Sequence, residues 1–406
     1  PLAVVGCLLM LWALWTDRAV CWPQLRRDPL TWVLLAIAGV AIVYAPLAAV
    51  GEPAFWQQQV KHAARVAYYA GLIPVAWYLR GDEDRILRTW LIACAGFLLA
   101  RVFFLGELGN LDGPWWEARL GLGLEPISFA YYAGTVLLAV LVFAPRLARL
   151  AAPRFRLAAA GGLLLLAVLL LQGVVLSQTR AAWLALAPLL LLLAAAGLRR
   201  AWRRGDRRTG IAVLLAAALL GTVIGSNLPA VSERLASERQ TWNALFAGDL
   251  DTVRTGSGRA RQHSVGIRVV MLREGLARWR EAPVFGHGPA AAKLTLRDSD
   301  VFLLSRFNDY HNVQLDILVR YGAVGLGLFT AAVLLTLGGF YRGWRAGALG
   351  GDTALFLGCV MALLLASTLT NVRLLNWDFR YWVFLAAGPM ASYRYYCRPG
   401  MARVSR

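Results

Sequence analysis

Apolar runs of helical length recur along most of the chain, separated by short polar loops. A bilayer core about 30 Å thick is crossed by roughly 20 apolar residues in a helix. Eleven stretches follow that pattern: 1–16, 29–50, 63–79, 86–106, 127–144, 157–176, 181–198, 210–228, 314–340, 353–371 and 379–393. The first is short, starts at Pro1 rather than methionine, and lacks the basic leader and small-residue cleavage site of a signal peptide. An upstream helix is therefore expected, for a total of about twelve. The pattern predicts an all-α polytopic membrane protein: N-terminal transmembrane helices over 1–228, one large loop over 229–313, and C-terminal transmembrane helices with a tail over 314–406.

Composition strengthens this picture. Of 406 residues 59% are hydrophobic and 16% charged, which excludes an ordinary soluble enzyme. The formal charge of +19 would suggest nucleic acid in a soluble protein. In a membrane protein the placement of the charges decides, because Lys and Arg in short loops stay on the cytoplasmic side. One set of loops, with the C-terminal tail, carries 22 basic against seven acidic residues, a net +15. The opposite short loops carry one basic residue each: Lys61, Arg119, Arg180 and Arg373. Most of the charge is thus a marker of orientation, and no nucleic-acid partner is expected. The cysteines at 7, 21, 94, 359 and 397 form no CxxC pair, so neither a zinc site nor a disulfide scaffold is indicated.

Helix parity puts the 229–313 loop on the arginine-poor, outer face, periplasmic in a Gram-negative host. A loop of this length usually has a function. It carries 12 basic and nine acidic residues and three of the four histidines, His263, His287 and His311; His62 lies in another outer loop. Residues 264–281 are predicted to form an amphipathic helix with Ile267, Val270, Met271 and Leu276 near one side, suited to the membrane interface and ended by Pro283. A second, more polar helix is predicted over 232–246.

Several polar residues are candidates for chemistry. Arg180, in Ser-Gln-Thr-Arg-Ala-Ala-Trp, is either a snorkelling interfacial anchor or functional, and the scarcity of outer arginines favours function. Arg268 lies between Arg261 and Arg273. Spacing alone makes a solvated stripe of two of the three, whereas clustered guanidinium groups suit bidentate phosphate recognition. His311 follows the polar Asn308-Asp309 pair at the start of a long helix. There the helix dipole and nearby positive charge favour a neutral imidazole, poised as a general base, over one that hydrogen-bonds headgroups. His287, between Gly286 and Gly288, is expected to fill a turn. Asp298-Ser299-Asp300 has the spacing of a metal-binding pair but reads more simply as an exposed loop, and no metal or cofactor is expected. Phosphate-loop, HExxH and GxSxG motifs are absent. Arg101, Asp316 and Arg320 are charges near or within spans and suspects on that ground, although Asp316 and Arg320, four apart, form an ion pair most simply.

The order Ser-Gln-Thr-Arg-Ala-Ala-Trp, Gly-Ile-Arg-Val-Val-Met-Leu-Arg-Glu-Gly-Leu-Ala-Arg-Trp, Pro-Val-Phe-Gly-His-Gly and His-Asn-Val-Gln-Leu-Asp-Ile-Leu-Val-Arg-Tyr-Gly, over roughly 172–340, resembles the bacterial O-antigen ligase and polymerase superfamily. The resemblance implies a GT-C-like glycosyltransferase of the bacterial inner membrane with its active site facing the periplasm. It also implies Arg180, Arg268 and His311 as functional positions, and Gly286 and Gly288 as glycines of a structural turn. Its donor would be a glycan on undecaprenyl pyrophosphate and its acceptor, for a ligase, lipid A-core, with membrane lipids around both. Under that reading Arg180 and Arg268 bind the pyrophosphate, His311 takes the acceptor proton, and Arg65, Arg119 and Arg261 are further candidates for lipid phosphates. A chain of this length with one large late loop is more similar to a ligase than to a polymerase or a protein O-oligosaccharyltransferase. A transporter or flippase would need charges deep in several spans, which are nearly missing here.

Overall fold

A computed structural model describes residues 15–51, 53–106, 119–228, 264–297 and 304–396, with positions 12, 232 and 243 in isolation. Among the described residues all regular structure is helical. The helices are α1 (Arg18–Leu25), α2 (Pro29–Gly51), α3 (Trp56–Ala67), α4 (Leu72–Leu79), α5 (Glu83–Val102), α6 (Pro126–Leu150) and α7 (Arg156–Leu176). They continue as α8 (Arg180–Arg203), α9 (Arg207–Ser226), α10 (Ser264–Glu281), α11 (Ala291–Arg297), α12 (Val313–Arg345), α13 (Gly351–Thr368) and α14 (Trp377–Tyr396). Local chemistry sets several starts. Pro126 opens α6, where its missing N–H costs nothing. The Asp206 carboxylate caps α9 by accepting from the Thr209 N–H at 3.0 Å.

Seven segments among the described residues are long and apolar enough to cross a membrane: Pro29–Val50, Pro126–Leu150, Pro153–Leu176, Arg180–Arg203, Thr209–Ser226, Val313–Arg345 and Gly351–Thr368. They coincide with seven of the predicted stretches. Leu47, Leu184, Leu191 and Leu215 on these segments are 61 to 78% exposed, as apolar side chains are where lipid is the solvent. The predicted stretches 86–106 and 379–393 are mostly helical too, in α5 and α14, but both helices carry charged residues near each end. Nearly all of stretch 1–16 lies outside the described residues.

The predicted span 63–79 is helical over its whole length but is not one α-helix. α3 begins seven residues earlier, a 3-10 turn over Tyr68–Gly71 follows it, and α4 has only eight residues, about 12 Å of helix. Tertiary contacts fix the turn. The Tyr69 hydroxyl donates to the Leu374 carbonyl, and a methyl group on Gly71 would stand 3.2 Å from the Phe384 ring. Apolar composition alone does not register such contacts.

The chain forms two compact units. The first contains α1–α4, α10–α12 and α14; the second contains most of α5, α6–α9 and α13. In the first, Gly339 and Gly343 let α12 approach α14 closely: a Cβ on Gly339 would fall 2.6 Å from the Met390 carbonyl oxygen, and one on Gly343 2.6 Å from the Tyr393 ring. Small residues four apart serve close helix packing in membranes, where burial from water gives no driving force. In the second unit, Trp90 of α5 packs edge to face on Phe356 of α13 with ring centres 5.0 Å apart.

Candidate active site

Asn312 fixes the start of α12. Its side-chain oxygen accepts from the Leu315 N–H at 2.8 Å, and its amide donates to the Leu369 carbonyl at 3.1 Å. One residue earlier, His311 takes a left-handed backbone conformation, φ 52°, rare for a residue with a side chain. The Asp309 carboxylate holds it there. One oxygen accepts from the His311 backbone N–H at 3.0 Å and from ring Nδ1 at 2.6 Å. Phe307 meets the imidazole edge to face at 5.2 Å between ring centres. With Nδ1 occupied, Nε2 is the ring nitrogen left to exchange a proton with a substrate. Burial alone would raise the Asp309 pKa, but the hydrogen bonds and charge of His311 outweigh it and hold the carboxyl below its usual range. The pairing of Asp309 with His311 is a feature that the sequence did not reveal.

α12 is not continuous. Gly322, at φ 62° and ψ −160°, breaks it nine residues after its start, and the glycine-rich turn after α10 inserts at the break. The Val319 and Arg320 carbonyls accept from the His287 and Gly288 N–H groups at 2.9 Å each. In return the Ala323 and Val324 N–H groups donate to the Pro283 and Val284 carbonyls at 2.9 and 3.1 Å. Backbone groups freed by the break are thus paired across the turn. The glycines are needed for this approach: Gly286 has φ 72°, and a Cβ there would sit 2.6 Å from the Arg320 carbonyl carbon. His287 fills the turn as expected, its Nε2 donating to the Arg278 carbonyl at 2.8 Å.

Asp316 and Arg320, both essentially buried, pair on one helix through Nε to Oδ2 at 2.5 Å and Nη2 to Oδ1 at 3.3 Å. Arg320 Nη1 also donates to the Pro289 carbonyl and to His62 Nδ1, the latter at 2.9 Å. His62 is therefore a neutral acceptor within the fold. Burial, then the charges of Arg320, Arg65, Lys293 and Lys61, push its pKa down to about 2. The spacing-based ion pair is present, and it serves the fold by tying α3, the glycine turn and α12 together.

α10 spans Ser264–Glu281, as predicted. Its apolar side packs on protein: Met271 is buried in a cluster with Ala291, Ala292, Leu296, Leu304, Tyr310, Leu315 and Val319, with Ile267, Val270 and Leu276 against it. The cluster thus contains the neighbours of half-buried Arg268 and, in Tyr310 and Leu315, those of His311, which sets both residues in one unit.

Arg180 and Arg119 belong to the other unit. Arg180 is the first residue of α8, after a tight turn in which Ser177 and Thr179 are buried and Gln178 has φ 53°. The Ser177 hydroxyl donates to the Val174 carbonyl at 2.6 Å, and the Trp183 indole donates to the same carbonyl at 2.9 Å. The Leu120 N–H donates to the Leu176 carbonyl at 3.1 Å, bringing Arg119 to this turn. Partial desolvation and then the Arg180 charge lower the Arg119 pKa, so two guanidinium groups are neighbours here. Arg101 donates to the Leu122 carbonyl and lies 5.5 and 5.3 Å from the centres of the Phe97 and Phe104 rings.

Arg65 closes α3 in the first unit and has Arg380 of α14 beside it, a residue that sequence reasoning passed over. Arg261 and the Asp298-Ser299-Asp300 segment lie outside the described residues, as do His263 and nearly all of the helix predicted over 232–246.

An all-α, multi-pass membrane protein with a histidine-carboxylate pair and clustered arginines is the class that fold and site define. A family model described as O-antigen ligase matches residues 164–330, 167 of the 406 residues, and supports the O-antigen ligase and polymerase superfamily. That range includes Arg180, Arg268, Asp309 and His311. The match supports an enzyme of ligase or polymerase type in lipopolysaccharide biosynthesis. No curated protein matches the chain.

Proposed function

We propose that this protein is an O-antigen ligase of the bacterial inner membrane, working on the periplasmic side. It moves a glycan from undecaprenyl pyrophosphate to a sugar hydroxyl of lipid A-core. The observation that carries the reading is the Asp309–His311 pair, within the segment that resembles the family. Asp309 fixes the tautomer, with hydrogen on Nδ1, so Nε2 is the base. It accepts the acceptor hydroxyl proton as the oxygen attacks the anomeric carbon from the side opposite the pyrophosphate. The bond from that carbon to the pyrophosphate oxygen breaks, its electron pair stays with the leaving polyprenyl pyrophosphate, and the carbon is inverted. Asp309 then stabilises the imidazolium.

Arg180 and Arg268 are assigned to the pyrophosphate, whose charge grows as it leaves. Guanidinium groups are always protonated and match phosphate oxygens two at a time, so they meet this need without a metal ion. Arg119, on which the Arg180 charge acts, is assigned a lesser part, in binding the donor rather than in the step. Arg261 is a further candidate.

The test is transfer from lipid-linked glycan to purified lipid A-core in detergent with chelator present, comparing wild type with Arg180→Ala, Arg268→Ala and His311→Ala. The expected result is transfer by the wild type despite the chelator and near-complete loss in each variant. Normal transfer by His311→Ala would remove it as the base, and loss of wild-type transfer on chelation would point back to Asp298 and Asp300.

A further inference from the structure

Carboxylate partners are found for arginines of both faces, Arg278 with Glu281 of the outer loop among them. On the arginine-rich face several pair with carboxylates: Arg80 with Asp17, Arg200 with Asp352 at 2.8 Å, and Arg394 with Asp28 at 2.7 Å. On the arginine-poor face the Arg380 charge acts on Arg65, and neither residue forms an ion pair among the described residues.

Three contacts fix that arrangement. The Tyr69 hydroxyl donates to the Leu374 carbonyl, joining the end of α3 to the segment before α14. Arg380 Nη2 donates to the Leu375 carbonyl at 3.2 Å. The Arg380 guanidinium lies over the Tyr68 ring, 5.1 Å from its centre, and that ring in turn stacks on Phe384. Tyr68 follows Arg65 by three residues, so the ring under Arg380 belongs to the same helical run as Arg65. Arg380 Nε is buried and has no hydrogen-bond partner among the described residues. Like charges that act on each other are costly unless an anion joins them.

We propose that Arg65, Arg380 and the Tyr68 ring form a seat for a phosphate group carried by a lipid, distinct from the Arg119–Arg180 pair in the other compact unit. The phosphate belongs either to the acceptor glycolipid or to a membrane phospholipid. The acceptor alternative rests on the transfer reading above; the phospholipid alternative does not.

Native mass spectrometry of the full chain in detergent separates these cases without requiring activity. The probes are dioctanoyl phosphatidic acid, dioctanoylglycerol as its phosphate-free partner, and lipid A-core before and after phosphatase treatment. Wild type is expected to prefer phosphatidic acid over dioctanoylglycerol by about tenfold or more, and the Arg65→Ala/Arg380→Ala variant to lose that preference. Arg380→Lys, which keeps the charge but not the fork, should retain part of it. If the acceptor supplies the phosphate, phosphatase treatment weakens its binding to wild type as much as the double substitution does. If a phospholipid supplies it, acceptor binding is the same in both proteins while the phosphatidic acid preference is lost. Equal affinity of wild type and double variant for every probe, with thermal melting showing the variant folded, would overturn the proposal. An intact preference in a protein that transfers no glycan would refute the ligase reading and leave the seat standing.

Discussion

A single oxygen of Asp309 receives both the backbone N–H and the ring Nδ1 of His311, at 3.0 and 2.6 Å. Those two bonds set the imidazole's tautomer and direction at the start of α12, in a backbone conformation the histidine would seldom adopt by itself. Asp309→Asn preserves the shape and removes the charge that stabilises the protonated ring. The expected result is a fall in kcat on the order of 100-fold with little change in donor KM. Steady-state kinetics check this, and an unchanged kcat would deny Asp309 a part in the step.

Arg180 and Arg119 should differ in size of effect. Removing a donor that acts on charge developed in the transition state costs about 100- to 1000-fold in kcat. Arg180→Ala is expected to fall in that range. Arg119→Ala, whose side chain is exposed, should lose about tenfold or less and mainly in donor KM. Equal losses for both would put them in the same role.

The break at Gly322 predicts a stability effect separate from chemistry. An alanine there meets the Val284 carbonyl and requires a backbone conformation that is nearly exclusive to glycine. Gly322→Ala should destabilise the protein by about 1–3 kcal/mol or more. Gly327→Ala, five residues on with nothing within 4 Å of an added Cβ, should melt like the wild type. Thermal melting in detergent compares the two.

His62 gives a pH-dependent signature. Its folded pKa is pushed down to about 2, while an unfolded histidine titrates near about 6.5. The unfolded chain therefore binds the extra proton first, and stability declines as pH falls below about 6.5. By pH 5.5 the loss from this group is about 1.4 kcal/mol. His62→Asn, which keeps an acceptor for Arg320, should show a smaller drop in melting temperature between pH 7.5 and 5.5. Parallel curves for both proteins would contradict the assignment.

Much of the fold was legible because its signals are local. Apolar runs of span length located seven helices long and apolar enough to cross a membrane, and the helix at 264–281 was bounded by its own pattern and Pro283. Within 63–79 the pattern did not show the tightening to a 3-10 turn over Tyr68–Gly71, where Tyr69 meets Leu374, some 300 residues away. A different limit, local backbone geometry, hid one member of the candidate site. Arg180, Arg268 and His311 stand in recognisable local patterns, whereas Asp309 reaches His311 only through a left-handed backbone angle that spacing does not announce. Arg380 was discoverable by the rule that singled out Arg180, an arginine at the arginine-poor end of a span. What no local pattern contained was its place beside Arg65.

The central claim is that a carrier-linked glycan is passed to lipid A-core, and the lipopolysaccharide profile of a deletion strain tests it most directly. The predicted result is full-length glycan accumulating on the polyprenyl carrier and core left bare, restored by the wild-type gene and not by one carrying His311→Ala. Single repeat units on the core would identify a polymerase instead, and an unchanged profile would contradict the claim outright.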